Sequence, residues 1–398
     1  MKDKQIEKLI KAEEVRQKKN ISLIASENYV SDDVLKALGS KLTNKYSEGY
    51  PGKRYYGGQV NTDKIELLCQ DRALKAFGLK AGDTDRPDLG GWKVNVQPLS
   101  GSPANLGVYL ALVPQGEKIM GMSLDHGGHL THGHKVSASG KFWQQVAYGV
   151  DAKSEVLDYE DLKKLAVEAK PKLIVAGYTA YPRVVDFKKF REIADACGAM
   201  LMVDMSHFAG LVAGGAYPTP FEYADIVTTT VHKTLRGPRS AMIFSKVDVR
   251  ELGKKIDKAI FPGLQGGPHM NQIAAVAVAM KEAASPAFKK YAKQVVKNAK
   301  VLADELKKLG WRIVSGGTDS HLILVDTWMS GEGMPGAVAS EKLEKEGIIV
   351  NKNTIPNETR TPFDPSGIRL GTAGETTRGA KEKDMIKLAK RIDQILKK

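Results

Sequence analysis

Two residues, Lys233 and Asp204, carry the chemistry most readily read from this chain. Lys233 follows a β-branched run, Asp225 to Val231, of the kind that makes a buried strand. The run breaks at His232-Lys233 and enters the turn signal Gly237-Pro238. A lysine so placed stands at the mouth of a sheet, where open α/β sheets bind ligands. Arg236 and Arg239 follow it, and like charge with partial burial would lower its pKa and free the amine as a nucleophile. Upstream, Ala199 to Val203 is a continuous apolar run closed by Asp204 and followed by Met205-Ser206-His207. An acid ending one strand and a lysine ending the next but one would face the same crevice.

Pyridoxal phosphate needs this pairing: a lysine to hold its aldehyde covalently and an acid to keep its ring nitrogen protonated. The segment Val203-Asp204-Met205-Ser206-His207-Phe208-Ala209-Gly210-Leu211, followed by His232-Lys233-Thr234-Leu235-Arg236-Gly237-Pro238-Arg239, resembles the serine hydroxymethyltransferase family of fold-type I pyridoxal phosphate enzymes. The resemblance runs from Leu23 to about Arg378. It implies an α/β fold, with a large domain built on a mostly parallel seven-stranded sheet flanked by helices and a smaller α+β C-terminal domain. The expected division is an N-terminal helical arm over 1–20, a large cofactor domain over 21–285 and a small domain over 286–398. The implied reaction interconverts L-serine and tetrahydrofolate with glycine and 5,10-methylenetetrahydrofolate, with the cofactor covalent on Lys233 and tetrahydrofolate as co-substrate.

The resemblance also assigns the remaining site. In Leu23-Ile24-Ala25-Ser26-Glu27-Asn28 it gives Ser26 to the substrate carboxylate, although Ser26 read alone could equally be a helix cap. Residues 43–58 are rich in Tyr and Gly without any period, and a long irregular loop in a compact enzyme is usually functional. There the resemblance makes Glu48 the acid beside the substrate hydroxymethyl group and Tyr46, Tyr55 and Tyr56 site residues. It gives this loop to the neighbouring subunit, implying a homodimer or tetramer with shared sites, and brings Gly267 to the partner's phosphate. Ser102 before Pro103 has the order of an N-cap and a first-turn proline, and free amides at a helix start can seat a phosphate. By resemblance Ser100, Gly101 and Ser102 form that seat.

Four histidines fall within nine positions, His126 to His134, and a metal site is the obvious rival for them. The resemblance instead stacks His129 on the cofactor ring and sets Leu124, Gly128 and Leu130 beside folate. Thr179, His207, Thr230 and His232 join the cofactor set, Asn353, Thr361 and Phe363 contact folate, and Arg369 takes the substrate carboxylate with its planar fork. Asp125, Val231 and Ser240-Ala241 depart from the family pattern. Asp125 is expected to raise neighbouring histidine pKa values and weaken folate contact. It and Val231 keep open a folate-independent aldolase acting on threonine.

The chain has 398 residues, 42% of them hydrophobic, enough for a large core and more than one domain. A net charge of +14 invites nucleic acid, but the lysines are spread along amphipathic helices without aromatic interleaving. A basic surface that draws anionic substrates is the better account, with RNA binding kept only as an added role. Cys69 and Cys197 lack metal spacing and suit a reducing cytoplasm, and neither a signal sequence nor a membrane span is read.

Periodicity predicts helices over 5–19, 32–40, 61–79, 270–284 and 287–309. In the third of these, Ile65, Leu68, Ala73, Leu74, Ala76 and Phe77 are expected inside. Strands are predicted at 94–97 and 172–176, at 240–244 as an outer strand, and in the C-terminal part at 311–314, 320–326 and 348–350. Residues 80–92 read as a polar loop without assigned function.

Overall fold

The computed structural model describes every residue except 84, 85, 87 and 89. Its centre is a seven-stranded sheet among the described residues, in the order Trp92–Asn95, Ala241–Lys246, Ile226–Thr230, Met200–Asp204, Leu173–Gly177, Lys118–Met122, Gln144–Tyr148. Only Ala241–Lys246 runs against its neighbours. The middle strands are apolar on both faces because both faces are covered. Ile174, Ala176, Leu201, Val203 and Val227 point into one core, while Leu173, Val175, Met202 and Ile226 point into another on the opposite side. The second face is filled by Ala104 and Val108 of the helix Gly101–Leu112.

Several expectations are corrected. The acid and lysine strands are direct neighbours, with Asp204 opposite Thr228, rather than next but one. Ala241–Lys246 is not an outer strand, since Trp92–Asn95 covers its far side. Trp92, placed in a loop from sequence, opens that edge strand and is buried against Phe221. The polar loop read at 80–92 falls partly outside the described residues. Leu68 is 44% exposed, because the inner stripe of Val60–Ala76 runs through Thr62, Glu66, Cys69 and Ala73 instead. The helix read to 40 ends at Leu38, and its cap is Ser31, whose side chain accepts from the Val34 amide. The parallel strands Lys118–Met122 and Gln144–Tyr148 went unread.

A second sheet, Arg312–Ile313, Leu322–Asp326, Gly367–Gly371 and Asn351–Asn353, lies in the C-terminal part. The helix Pro286–Lys308 serves both cores: Phe288, Ala292 and Val295 pack towards the large sheet, and Ala299, Leu302 and Leu306 towards the small one. Ile21–Ser22 pairs with Ile348–Ile349, so the chain from 21 to 23 is tied to the C-terminal elements. The N-terminal helix Lys4–Lys19 buries none of its side chains, and Ile6, Leu9, Ile10 and Val15 are exposed.

Gly177 ends the strand beside Asp204 at φ +139°, and a Cβ there would lie 2.2 Å from the Asp204 carbonyl oxygen. Gly177→Ala should therefore cost about 2–5 kcal/mol through combined strain and overpacking. The check is urea unfolding, where the midpoint should fall with the slope unchanged; an unshifted midpoint would contradict the close packing of these strands.

Candidate active site

Strand carboxyl ends and the loops that follow them enclose a cleft of about 380 Å³. It is lined by Ser26, Ser100, Gly101, Ser102, His129, Thr179, Asp204, His207, Thr230, His232, Lys233 and Arg369, all expected from sequence. Arg239, expected from sequence beside Lys233, lines it too, as do Glu27, Asn105, Tyr178 and Ser206, which the sequence alone does not assign there.

Asp204 is 7% exposed, and both oxygens of its carboxylate accept hydrogen bonds with one acceptor position left towards the cleft. One oxygen accepts from Asn105 Nδ2 at 2.9 Å and His132 Nε2 at 3.1 Å, and the other from the Ser206 amide at 3.1 Å. Burial alone would raise its pKa, but the hydrogen bonds, that from His132 first, hold it far below the usual carboxylate range. The His129 amide donates to His132 Nδ1, which places the His132 proton on Nε2, facing the carboxylate. Asn105 is fixed in turn, accepting from Thr228 Oγ1 at 2.8 Å and donating to Thr131 Oγ1 at 2.9 Å.

Lys233 sits just past the neighbouring strand, in a turn whose bonds are nearly all accounted for. Its carbonyl accepts from Asn28 Nδ2, Thr234 Oγ1 donates to the His207 carbonyl, and the Gly237 amide returns to the Val231 carbonyl. Burial, with Arg369 and Arg239 adding like charge, brings its amine down to about 8 against the opposing pull of Asp204. Arg236, expected to share in this, instead stacks over Tyr291, 4.4 Å from the ring centroid, and over Phe288.

Arg369 is 6% exposed on the strand Gly367–Gly371, brought down to about 10 by burial. It donates to the Thr179 carbonyl at 2.7 Å and to Asn351 Oδ1 at 3.2 Å. Among the described residues no carboxylate forms an ion pair with it, so a buried cation faces the cleft with capacity for an anion. At the opposite wall the helix Gly101–Leu112 starts from Ser100, which corrects the reading of Ser102 as the cap. The first helical bond runs from the Ala104 amide to the Ser100 carbonyl, leaving the amides of Gly101 and Ser102 outside the helical ladder. A Cβ on Gly101 would lie 2.7 Å from Thr230 Cγ2, so glycine keeps this corner open.

The histidines do not converge on a common point: His126 Nδ1 accepts from the Val150 amide, His129 Nδ1 meets Thr131 Oγ1, and His132 meets Asp204. Burial, His132 and Lys233 hold His129 down to about 4, and burial holds His126 low despite Asp125. The expected upward shift from Asp125 is thus overridden, and Asp125 itself is exposed outside the cleft. His232 lies low at about 3 through burial and Lys233, its buried Nδ1 without a partner. His321, unnoticed in sequence, stacks on His207 with Nε2 3.3 Å from His207 Nδ1, and both are buried.

Other expected site residues stand outside this cleft. Leu124, Gly128, Leu130, Asn353, Thr361 and Phe363 do not line it, and Phe363 is 85% exposed. Glu48, Tyr46, Tyr55 and Tyr56 form a separate cluster with the 261–267 segment: Tyr46 Oη donates to Glu48 Oε1 at 3.3 Å and Tyr55 packs on Phe261. A Cβ on Gly267 would touch Tyr46, and one on Gly266 would touch Glu48. The three tyrosines are exposed.

A family model described as serine hydroxymethyltransferase matches residues 1–392. A curated protein named "Serine hydroxymethyltransferase" from Desulfotalea psychrophila (strain LSv54 / DSM 12343) is 55% identical over 394 residues, 99% of this chain and 88% of that protein.

The His207–His321 pair has a consequence for acid stability. His321 is held down to about 3 by burial and by the charges of Arg369 and Lys233, below the 6.5 of an ordinary histidine. A depressed histidine favours the neutral folded form, so its stabilisation is complete above about pH 6.5 and is lost as pH falls towards the folded pKa. Between pH 7 and pH 5 this one group should cost about 2 kcal/mol. Chemical denaturation of His321→Gln should show a loss smaller by that amount; an identical acid limb would contradict the burial of a neutral imidazole.

Proposed function

The chain belongs to the serine hydroxymethyltransferase family, and from that premise we propose how its own residues carry the reaction. The enzyme is a glycine hydroxymethyltransferase, moving the hydroxymethyl group of L-serine to leave glycine. Tetrahydrofolate is read as the acceptor and pyridoxal phosphate as the cofactor. The single observation that carries this reading is one cleft holding an ionised buried Asp204, a lysine of lowered pKa and an unpaired buried arginine.

The residues fit pyridoxal phosphate. The Gly101 and Ser102 amides with the Ser100 and Ser102 hydroxyls suit its phosphate, Asp204 its ring nitrogen, His129 its ring face and Lys233 its aldehyde. When bound, the cofactor supplies an electron sink for cleavage of the substrate Cα–Cβ bond. Asp204 keeps a proton on the ring nitrogen, because a carboxylate this strongly held does not take that proton for itself. Lys233, its amine less basic than an ordinary lysine's, would hold the cofactor's aldehyde and, more often uncharged near neutral pH, would be available as a nucleophile there. Arg369 and Ser26 bind and orient the substrate carboxylate, Arg369 with a guanidinium that forms no ion pair with a carboxylate among the described residues. His232, neutral beside Lys233, positions the lysine end.

The hydroxymethyl group needs a proton acceptor, and Glu48 is the residue proposed for it, with Tyr55 and Tyr56 beside it. Glu48 stands outside its own chain's cleft, on an exposed tyrosine-rich cluster, which supports a homodimer whose loops complete one another's sites. Leu124, Gly128, Leu130, Asn353, Thr361 and Phe363 are proposed to meet folate at the outer rim. A cytoplasmic location is proposed; among the described residues no helix is long and apolar enough to cross a membrane. Asp125, which kept a threonine aldolase open, lies exposed outside the cleft and gives that alternative no support.

Two experiments test these roles. Borohydride reduction of the purified holoenzyme, then peptide mapping, should place the pyridoxyl label on Lys233; a label on another lysine sinks the assignment. Co-expressed Glu48→Ala and Lys233→Ala chains should regain activity, since a two-fold dimer gives one site both defects and the other neither. Verified heterodimers should reach about half of wild-type turnover per dimer, and inactive heterodimers would show that each site is built from one chain.

A further inference from the structure

The carboxylate proposed to work on the hydroxymethyl group lies on a loop, and a loop is a poor platform unless its backbone is fixed. Around Glu48 four successive carbonyls are bound. The Tyr46 carbonyl accepts from Gln59 Nε2 at 3.0 Å, and the Glu48 carbonyl from the Tyr55 amide at 3.1 Å. The carbonyls on either side of Glu48 both hang from one atom: Arg54 Nη1 donates to Ser47 O at 2.8 Å and to Gly49 O at 2.7 Å.

That guanidinium is itself immobilised. Its side chain is 3% exposed, with Nε on Asp63 Oδ1 at 2.9 Å and Nη2 on Glu66 Oε2 at 2.6 Å. Glu66 is fully buried, and its second oxygen accepts from Gln97 Nε2 at 2.8 Å, which also reaches the Gly49 carbonyl at 3.0 Å. Gly49 permits the approach, since at φ +94° a Cβ would fall 2.4 Å from the Lys53 carbonyl. The Glu48 side chain is left to project from this frame, touched by the Tyr46 hydroxyl.

We propose that Arg54 is the positioning residue for Glu48: its buried fork, anchored by Asp63 and Glu66, sets the backbone from which the carboxylate reaches the neighbouring chain's substrate. The clamp needs three donors spread in one plane, two of them reaching anchors and the third reaching both loop carbonyls. A lysine ammonium keeps the charge that Glu66 requires but cannot span that fork, so Arg54→Lys separates positioning from charge burial. The inference rests on the shared-site reading above, and the test is arranged to distinguish the two.

Arg54→Lys homodimers should lose roughly 10- to 100-fold in kcat, as for a reacting group displaced by a fraction of an ångström to one ångström. KM for serine should change less than about threefold, because the carboxylate site is untouched. The discriminating measurement uses heterodimers carrying one Lys233→Ala chain, which have a single live site. With Arg54→Lys on that same chain, the altered loop serves the live site and activity should fall as in the homodimer. With Arg54→Lys on the other chain, the altered loop serves the dead site, and activity should equal that of the heterodimer lacking it. A general structural role would depress both arrangements alike, and that result, or no loss in either, overturns the proposal. Glu48→Ala in the same two arrangements reports separately whether the loop serves the neighbouring chain. If Arg54→Lys chains do not accumulate, Arg54→Met with Glu66→Gln removes both charges and should give the same asymmetry; symmetric behaviour there overturns the proposal equally.

Discussion

A carboxylate kept ionised inside the protein is the constraint on which this site depends. Asp204 ends a strand buried from Leu201 onward, and a charge there survives only if its lone pairs are met. Each group that meets them also anchors an element. Asn105 ties the helix Gly101–Leu112 to the acid, His132 ties the loop that carries His129, and the Ser206 amide tightens the strand's own exit. Thr228 of the lysine strand then holds Asn105, so the helix start, the histidine loop and both strand ends share one polar network. Such a network is costly to leave half made, which gives the cleft its fixed shape.

Against this buried anion stand two cations, Lys233 and Arg369, with the exposed Glu27 and Arg239 at the edge. Among the described residues neither cation forms an ion pair with a carboxylate, and burial leaves both less basic. The cleft is therefore left positive on balance, a state that burial makes expensive and that an anionic ligand relieves. Two separated anions suit it: one at the free amides of Gly101 and Ser102, one at the guanidinium of Arg369 across the cleft. The basic surface of the whole chain extends the same preference outward. Neutral histidines fill the space between, since a further positive charge beside Lys233 would be opposed by burial and by the lysine itself.

The strand ends were legible in sequence because a β-branched or apolar run closed by a charged residue fits little besides a buried strand reaching its sheet's edge. The polar shell behind them was not. Asn105 lies inside a helix, His132 is one of four clustered histidines, and His321 opens an ordinary apolar strand; only the tertiary fold shows what each touches. The neighbour relation of the two strands was missed because strand order is set by crossover, which spacing along the chain does not record. Arg236 looked like a partner for Lys233 by proximity in sequence, yet the aromatic faces of Tyr291 and Phe288, brought in by a distant helix, claim it. The roles of Glu48, the tyrosines and Arg369 came from resemblance alone, for nothing in their local spacing marks them.

The separation of Glu48 from the cleft follows from what each part must tolerate. The cleft's charged wall comes from one chain: its acid and arginine are fixed by side-chain hydrogen bonds and its lysine through the turn that carries it, and little of that can move without breaking the bonds that keep Asp204 ionised. The loop from Tyr46 to Tyr56 is fixed differently, by a guanidinium and two carboxylates beneath it, leaving the side chains of Tyr46, Tyr55 and Tyr56 outside. Exposed tyrosines over a rigid backbone are poor solvent surface but good contact surface, since they bury area at low entropic cost. A homodimer that covers them would join two prefixed halves: an electrostatic cleft from one chain and a proton acceptor from the other. Gln97 links these halves within each chain, holding Glu66 and the Gly49 carbonyl while its own carbonyl takes Gln265, which in turn receives the Leu99 amide just before Ser100. The same few bonds therefore brace both the loop that carries Glu48 and the helix start whose Gly101 and Ser102 amides face the cleft.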